Sequence, residues 1–283
     1  RSNAQSRSLE HALFSTGIPY RVYGGLRFFE RAEIKHALAY LRLAANPEDD
    51  NAFLRVVNFP ARGIGARSLE SLDAEARAAG TSLWAAACKS GKKFAAFVTL
   101  VEDLRNGIAG LPLAEQVDHV VARSGLMEHY KNEKDGEDRV ENLGELANAA
   151  AAFAADSDDQ SLEAFLGHAA LEAGEHEAAQ GQDAVQLMSV HAAKGLEFHT
   201  VFITGLEEGL FPHENSLNES GGLEEERRLM YVAITRARRR LYLTHAQMRM
   251  LHGQMRYGLA SRFLEEIPEG LVRSLSIRVA RPQ

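Results

Sequence analysis

Hydrophobic and polar positions alternate in two different ways along the chain, and the C-terminal part has the pattern of an α/β structure. Residues 185–190 and 200–204 are largely apolar runs of strand length, and residues 241–244 alternate as a third strand. Glu224 lies in the acidic first turn of a predicted helix, whose end is marked by arginines from Arg236 onward. Strands that alternate with helices and loops favour a parallel sheet, so this region is predicted to be α/β.

The middle of the chain has a helical pattern instead. From Asn46 to about Gln182, alanine-rich segments carry apolar residues at helical spacing and are interrupted by glycines. Individual helices are predicted at residues 8–14, 32–43 and 162–173, with a stop at Gly17 and an extended segment after it. Residues 274–279 alternate as a last strand. The sequence therefore predicts one mostly α-helical subdomain that interrupts an α/β domain.

The segment between the first two C-terminal strands is too small and polar to belong to a core. It reads HAAKGLEF and contains His191, Lys194 and Glu197. Ligands of parallel α/β sheets bind beyond the carboxyl ends of the strands. We therefore expect Lys194, Glu197 and Arg236 to lie near one edge of the sheet and to form a site.

A glycine pair in the segment 59–69 predicts a tight turn with exposed amides. Gly63 and Gly65 flank a single isoleucine, and Ser68 is predicted to cap the helix that follows. Exposed amides at a helix N-terminus form an anion site, although a loop can also contain glycines without binding anything. The candidate phosphate contacts are Arg62, Gly63, Ile64, Gly65 and Arg67.

Composition narrows the class of protein. The 283 residues are 45% hydrophobic and 25% charged, which is ordinary for a soluble protein of one to three domains. A net charge of −7 argues against a protein that coats nucleic acid, so any DNA contact must come from local patches. Neither a membrane-spanning run nor a signal peptide is apparent, and a cytoplasmic protein without a membrane partner is expected.

Several kinds of chemistry are excluded or disfavoured by the residues. The single cysteine, Cys88, rules out an internal disulfide and is expected to be a packed helix residue. His168, Glu172 and His176 are spaced along one helix, but its two histidines are two turns apart, so no metal site is expected. The segment Gly91-Lys92-Lys93 lacks both the preceding glycine and the hydroxyl of a G-x-x-x-x-G-K-[ST] loop. The chain is therefore predicted to be inactive by itself, because it cannot cradle a triphosphate and its Mg²⁺.

Two blocks of this sequence resemble the last conserved blocks of the UvrD/PcrA/Rep family of superfamily 1 DNA helicases. They are QLMSVHAAKGLEFHTVFITGLEEGLFP and EEERRLMYVAITRARRRLYLT, in this order and spacing. The segments RSNAQSR and GGLRFFERAEIKHALAYLRL are also similar to the family, although His36 stands where relatives usually carry Asp. The resemblance covers essentially the whole chain and implies that a strand of the sheet precedes residue 1.

The resemblance implies a fold and an activity. Residues 1–23 and 182–283 would form a RecA-like parallel-sheet motor domain, the second of two, and residues 24–181 would form its helical insert. The activity implied is ATP-driven 3′-to-5′ unwinding of DNA in repair or replication restart. The first motor domain would supply the phosphate loop, the Mg²⁺ ligands and the catalytic glutamate. Single-stranded DNA, junctions of single- and double-stranded DNA, and possible repair proteins are the implied partners.

The resemblance also implies roles for individual residues. Arg236 matches the arginine finger that contacts the γ-phosphate of ATP, and Glu197 matches the acid that binds the nucleotide sugar. His191 and Lys194 would face the DNA strand, the glycine pair would touch the backbone of duplex DNA, and His252 would stack on a base. Without the family context, Arg236 could belong to a solvated or DNA-facing helix end, Glu197 could cap a turn, and His252 could be a surface histidine.

A different class of function remains open. The chain could be a non-enzymatic DNA- or protein-binding module derived from a helicase. A phosphate loop in the same protein would favour the motor, and its absence would favour the module.

Overall fold

A computed structural model of the protein describes residues 5–23, 26–134, 136–174, 183–251 and 254–275. The chain divides into two compact units. One unit comprises residues 2–188 with 250–254, and the other comprises residue 1, residues 189–249 and residues 255–283. Among the described residues, none of the helices has the length and apolar character that crossing a bilayer requires.

The first unit is mostly helical, as the middle of the sequence predicts. Its two strands, β1 (Tyr20–Tyr23) and β2 (Val185–Met188), pair in parallel, with Tyr20 opposite Val185. Its described helices are α1 (Ser6–Ser15), α2 (Ala32–Ala45), α3 (Asp50–Val56), α4 (Ala66–Ala79), α5 (Leu83–Lys89), α6 (Lys92–Gly107), α7 (Leu113–Arg123), α8 (Leu126–Lys131), α9 (Gly136–Asp156) and α10 (Leu162–Gly174), with a 3₁₀ turn at Phe28–Glu30.

Helix α2 lies at the centre of this unit. Its Ile34, Tyr40 and Leu41 are completely buried, and α3, α6, α7, α9 and α10 pack around it. Burying each such side chain stabilises the fold by roughly 1.5–3 kcal/mol. Phe28 and Phe29 of the 3₁₀ turn are also buried. The helical core therefore forms a rigid support for the loops between its helices.

The second unit contains a parallel strand pair and one long helix. Strand β3 (Phe198–Ile203) pairs with β4 (Ala237–Leu243), and α12 (Gly222–Ile234) connects them after the short α11 (Glu214–Leu217). The remaining described elements of this unit are α13 (Arg262–Glu265) and a 3₁₀ turn at Glu269–Leu271. Strands β5 (Met248–Leu251) and β6 (Gln254–Tyr257) include residues 250, 251 and 254, which are grouped with the first unit. Ile203, Leu206 and Phe211 lie in the core of this unit with residues of α12.

The β3–β4 ladder contains one irregularity. Phe198 is opposite Ala237, but Thr200 is opposite Arg240, so β4 holds one more residue than β3 between these pairs. Beyond this bulge the pairing is regular up to Ile203 and Leu243.

Three local predictions were wrong. The helix does not run into the arginines: α12 ends at Ile234 and Thr235 is its C-cap, since β4 begins at Ala237 and pairs with β3. Ser68 does not cap α4, because the helix already begins at Ala66 and Gly65 is the N-cap. Cys88 lies in α5 as expected but is exposed, since Leu83, Trp84, Ala86 and Ala87 form the buried face of that helix.

Other predictions were confirmed. Helices were expected at residues 8–14, 32–43 and 162–173, and α1, α2 and α10 occupy these positions. The three C-terminal strands are present, although the third begins four residues earlier than predicted. His252, His176, residues 1–4 and most of a strand predicted at 274–279 lie outside the described residues.

Candidate functional site

Arg236 lies between α12 and β4, and its guanidinium is held by oxygen acceptors. Nε donates to the carbonyl of Val232 at 3.0 Å, and Nη1 donates to the carbonyl of Leu196 at 2.7 Å. Nη2 donates to the hydroxyl of Thr235 at 3.1 Å. The Leu196 bond fixes the side chain directly beside Glu197. The guanidinium is only partly buried, so it remains open to an anion on one side.

Glu197 and Arg236 lie at the same edge of the sheet, but it is the edge opposite to the one predicted. Glu197 precedes Phe198, the first residue of β3, and Arg236 precedes Ala237, the first residue of β4. The two strands are parallel, so their amino ends meet. The prediction of a shared edge was confirmed for these two residues. Its placement at the carboxyl ends was wrong because Glu197 directly precedes β3 and Arg236 directly precedes β4.

Glu197 itself is exposed and paired. Its Oε2 accepts a hydrogen bond from Nε of Arg238 at 3.1 Å, and both side chains are more than half exposed. An exposed pair of this kind contributes little to stability, so the carboxylate can exchange Arg238 for another donor at small cost.

The loop before β3 is a series of backbone turns. Amides of Ala193, Lys194 and Leu196 donate to carbonyls three or four residues earlier, and Gly195 has φ +86°. Ala193 is buried, whereas His191 and Lys194 are exposed. Within the described part of the chain the side chains of His191 and Lys194 have no hydrogen-bond partner. Both can therefore reach a ligand outside the unit.

The glycine-pair loop before α4 combines a buried anchor with exposed amides. Ile64 is 2% exposed, and its amide donates to Oδ1 of Asn58 at 3.0 Å. Gly63 has φ +72°, which a residue with a side chain adopts only with strain. Within the described residues, the amides of Gly65, Ala66 and Arg67 bind no acceptor. These donors, at the N-terminus of a 14-residue helix, suit an anion.

Arg62, a predicted phosphate contact, makes hydrogen bonds inside the protein. Its guanidinium donates to the hydroxyl of Tyr40 at 2.6 Å and to the carbonyls of Val56 and Pro60, each at 3.1 Å. It also lies over the ring of Phe97, 5.5 Å from its centroid. Burial raises the pKa of Tyr40 to about 12 although the Arg62 cation opposes this shift. Arg62 therefore supports the loop from inside, and the exposed Arg67 is the cation left for a phosphate.

Comparison with known proteins decides the family. The model of the UvrD-like helicase C-terminal domain matches residues 1–248. The chain belongs to the UvrD-like helicase C-terminal domain family. It is 50% identical to DNA helicase II of Escherichia coli (strain K12) over 100% of this chain, and 42% identical to the ATP-dependent DNA helicase PcrA of Bacillus subtilis (strain 168) over 98%. The resemblance drawn from the two sequence blocks is thus confirmed.

The chain spans 42% of the length of the Escherichia coli protein and 40% of the Bacillus subtilis protein. DNA helicase II of Haemophilus influenzae (strain ATCC 51907 / DSM 11121 / KW20 / Rd) is similar over the same part, with 46% identity over 98% of this chain and 40% of that protein. The similarity therefore concerns one part of these relatives.

His36 supports the glycine-pair loop in this UvrD-like domain. Its ring stacks on Phe59 with centroids 3.8 Å apart, and its Nδ1 lies 2.7 Å from the hydroxyl of Tyr130. Burial, assisted by the nearby cation of Arg55, lowers the pKa of His36 to about 4. A neutral ring thus fills a place beneath the loop, a role that sequence reasoning missed because Phe59 and Tyr130 are distant in sequence.

Glu207 is a second residue of the UvrD-like domain that sequence reasoning missed. It is 2% exposed and binds Arg249 through two hydrogen bonds of 2.9 and 3.0 Å, and it also accepts from the amide of Ala246 at 2.8 Å. Burial opposes ionisation of Glu207, but these donors outweigh it and lower its pKa. The buried carboxylate fixes the chain where it enters β5, the strand that precedes His252.

Proposed function

We propose that this chain is the C-terminal part of an ATP-dependent DNA helicase that translocates 3′ to 5′ on single-stranded DNA, in repair or replication restart. Family membership and the relatives' names support the helicase assignment. Residues 1–23 and 182–283 would form the second RecA-like motor domain and residues 24–181 its insert. The full protein would act in the cytoplasm, with a first motor domain, DNA junctions and possible repair proteins as partners.

The observation that carries the proposal is the guanidinium of Arg236 beside Glu197, at the shared edge of β3 and β4. An arginine fork makes paired bonds to phosphate oxygens and stabilises the charge that develops during phosphoryl transfer. Arg236 would exchange a carbonyl partner for the γ-phosphate held by the first motor domain. Glu197 would accept hydrogen bonds from the ribose hydroxyls of the nucleotide. Phosphate groups would repel this carboxylate and offer it no hydrogen-bond donor.

The DNA track would use two separate surfaces. His191 and Lys194 would contact the single strand, and His252 would stack on one of its bases. The amides that follow Gly63 and Gly65, together with Arg67, would contact the backbone of duplex DNA.

Magnesium is assigned to the first motor domain. Mg²⁺ prefers several oxygen ligands, and Glu197, the carboxylate near Arg236, is paired with Arg238. The surroundings of Arg236 thus suit phosphate better than a metal ion. This chain by itself is expected to hydrolyse no ATP, and no step proposed for its residues depends on the ion.

Reassembly tests the assignment of Arg236. The chain is mixed with a separately produced first motor domain of the same protein, and ATPase activity is measured with single-stranded DNA. Arg236→Ala should lower the activity on the order of 10³-fold. Arg236→Lys should recover little of it because the ammonium cannot form the paired bonds. Arg239 is an exposed arginine of the strand β4 that follows Arg236, so Arg239→Ala is the matched control and should behave like the parent.

Two outcomes would contradict the proposal. If Arg236→Ala hydrolyses ATP as fast as the parent, the arginine-finger assignment is wrong. If the parent mixture binds DNA but never hydrolyses ATP, the non-enzymatic module is the better description.

A further inference from the structure

Three side chains with metal-binding atoms meet between α1 and α10. Oε1 of Glu172 lies 2.7 Å from Nδ1 of His11 and 2.9 Å from Nε2 of His168. The three ligand atoms all lie within 4.8 Å of one another. His11 and Glu172 are 161 residues apart in sequence, so the fold and not a local motif assembles this cluster.

The cluster is shielded but still accessible. The side chain of Glu172 is 8% exposed, and those of His11 and His168 are 25% and 23% exposed. The ring of Phe153 lies 5.1 Å from the ring of His168, and Phe14 lies on its edge, which limits its rotation. Apolar side chains around partly exposed ligand residues are typical of metal centres.

The charges around the cluster also suit a cation. The carboxylate of Glu172 lies within hydrogen-bond distance of both imidazoles and supplies a negative charge to the cluster. Arg27 is a cation close to the end of α10, where it donates to the carbonyl of Ala173 at 2.7 Å. Its charge is offset by Glu30, with N–O distances of 3.0 and 3.1 Å.

We propose that His11, His168 and Glu172 bind a divalent transition-metal ion of the Zn²⁺ type. Two imidazoles and one carboxylate form a three-ligand set that zinc accepts, with a fourth position left to water. Each ring would present a lone pair at the nitrogen that faces Glu172, and its proton would move to the other ring nitrogen or to solvent. The nitrogens and the carboxylate would separate by a few tenths of an ångström to admit the ion, which needs only side-chain rotation.

The bound ion is expected to link α1 to α10. Linking two segments that are far apart in sequence restricts the unfolded chain, so the bound ion should stabilise the helical unit. If the proposed domain division holds, α1 belongs to the motor domain and α10 to its insert. The ion would then restrain the junction between them.

Titration of the untagged chain with Co²⁺, followed by its visible absorption and by competition with Zn²⁺, tests the site. One Co²⁺ per chain should bind and be displaced by Zn²⁺, and Zn²⁺ should raise the midpoint of thermal unfolding. His11→Gln and His168→Gln should each weaken binding by about 100-fold or more, since even changes around a metal centre cost 10- to 100-fold. Neither readout involves ATP or DNA, so failure here leaves the proposed helicase function untouched.

Two controls separate this site from other ligands on the chain. His199→Ala removes an exposed histidine of β3, and Cys88→Ser removes the exposed thiol, so both variants should bind Co²⁺ as the parent does. Circular dichroism of each glutamine variant establishes that it is folded. Equal affinity in all variants, loss of binding only with Cys88→Ser, or no Co²⁺ absorption in the parent would each overturn the proposal.

Discussion

The loop around Ile64 and the loop around Lys194 both present polar groups to solvent, but they are held by different means. In the first, a buried isoleucine and the inward-facing Arg62 tie the loop to the helical core, and only backbone amides and Arg67 remain outside. In the second, Ala193 is buried, and hydrogen bonds of short backbone turns hold the other residues of the loop in place. The first loop has a scaffold beneath it, whereas the second is held by its own backbone.

Residues of one motif can therefore have different roles: some can contact a ligand, while others support the loop from inside. Arg62 and Arg67 stand on either side of the glycine pair and look equivalent in sequence. The structure gives Arg62 acceptors inside the protein and leaves Arg67 exposed. Four predictions test this contrast between the two loops, and the loop around Ile64 should show the larger effects.

Replacing the buried anchor should have the largest effect on stability. Ile64→Ala removes a side chain that is 2% exposed, which should cost about 2–5 kcal/mol in the free energy of unfolding. Ile18→Ala, at a position 44% exposed, is the matched control and should change stability by less than about 0.5 kcal/mol. Urea unfolding of both variants measures the difference. Equal losses would mean that Ile64 does not anchor the loop.

Removing the internal guanidinium should have the next largest effect. Arg62→Ala removes a hydrogen-bond donor from the hydroxyl of Tyr40 and from three carbonyls, which should cost about 1–3 kcal/mol. Arg67→Ala should leave the unfolding midpoint unchanged but weaken binding to duplex DNA, measured by fluorescence anisotropy. The division of roles fails if Arg67→Ala destabilises the protein as much as Arg62→Ala does.

Acid should weaken the support beneath the glycine-pair loop. The pKa of His36 is lowered from 6.5 to about 4 by folding, so the unfolded chain takes up this proton first. Stability contributed by neutral His36 is therefore complete above pH 6.5 and is lost as the pH falls toward 4. Chemical denaturation at several pH values should give a smaller slope in this window for His36→Phe, which keeps a ring against Phe59. Identical slopes would show that His36 does not titrate this way.

The smallest effect is expected in the loop before β3. Arg238→Ala removes an ion pair in which both side chains are more than half exposed, so the free energy of unfolding should change by less than about 1 kcal/mol. Thermal unfolding with and without added salt measures it. A larger loss would mean that Glu197 and Arg238 hold the loop, and the contrast with the glycine-pair loop would disappear.

The sequence predicts most elements well where periodicity is strong. Helices α1, α2 and α10 and the three C-terminal strands follow from apolar spacing alone. The boundary at Arg236 could not be predicted this way, because a run of arginines fits both a helix end and the exposed start of a strand. Pairing with β3 decides it, and that is a contact between distant residues.

The sequence proposes residues for the candidate site but predicts their geometry less well. The family resemblance of the two blocks singles out Glu197 and Arg236, and their shared edge follows from parallel strands. Which edge they share depends on which strands pair. The partner of His168 and Glu172 was missed for a similar reason: periodicity within one helix suggests His176, whereas the fold brings His11 from another helix.

The extra residue in β4 opposite the start of β3 allows the two ends of β4 to meet different structural requirements. Arg236 must stay at the edge beside Leu196, while Leu241 and Leu243 must keep facing the core. Deleting Arg239 would remove the bulge and leave Val201 opposite Leu241. We therefore expect the run of arginines to tolerate the loss of one arginine without exchanging the core-facing and solvent-facing sides of β4. The number of arginines can then vary in evolution while the residues at both ends of the strand keep their positions.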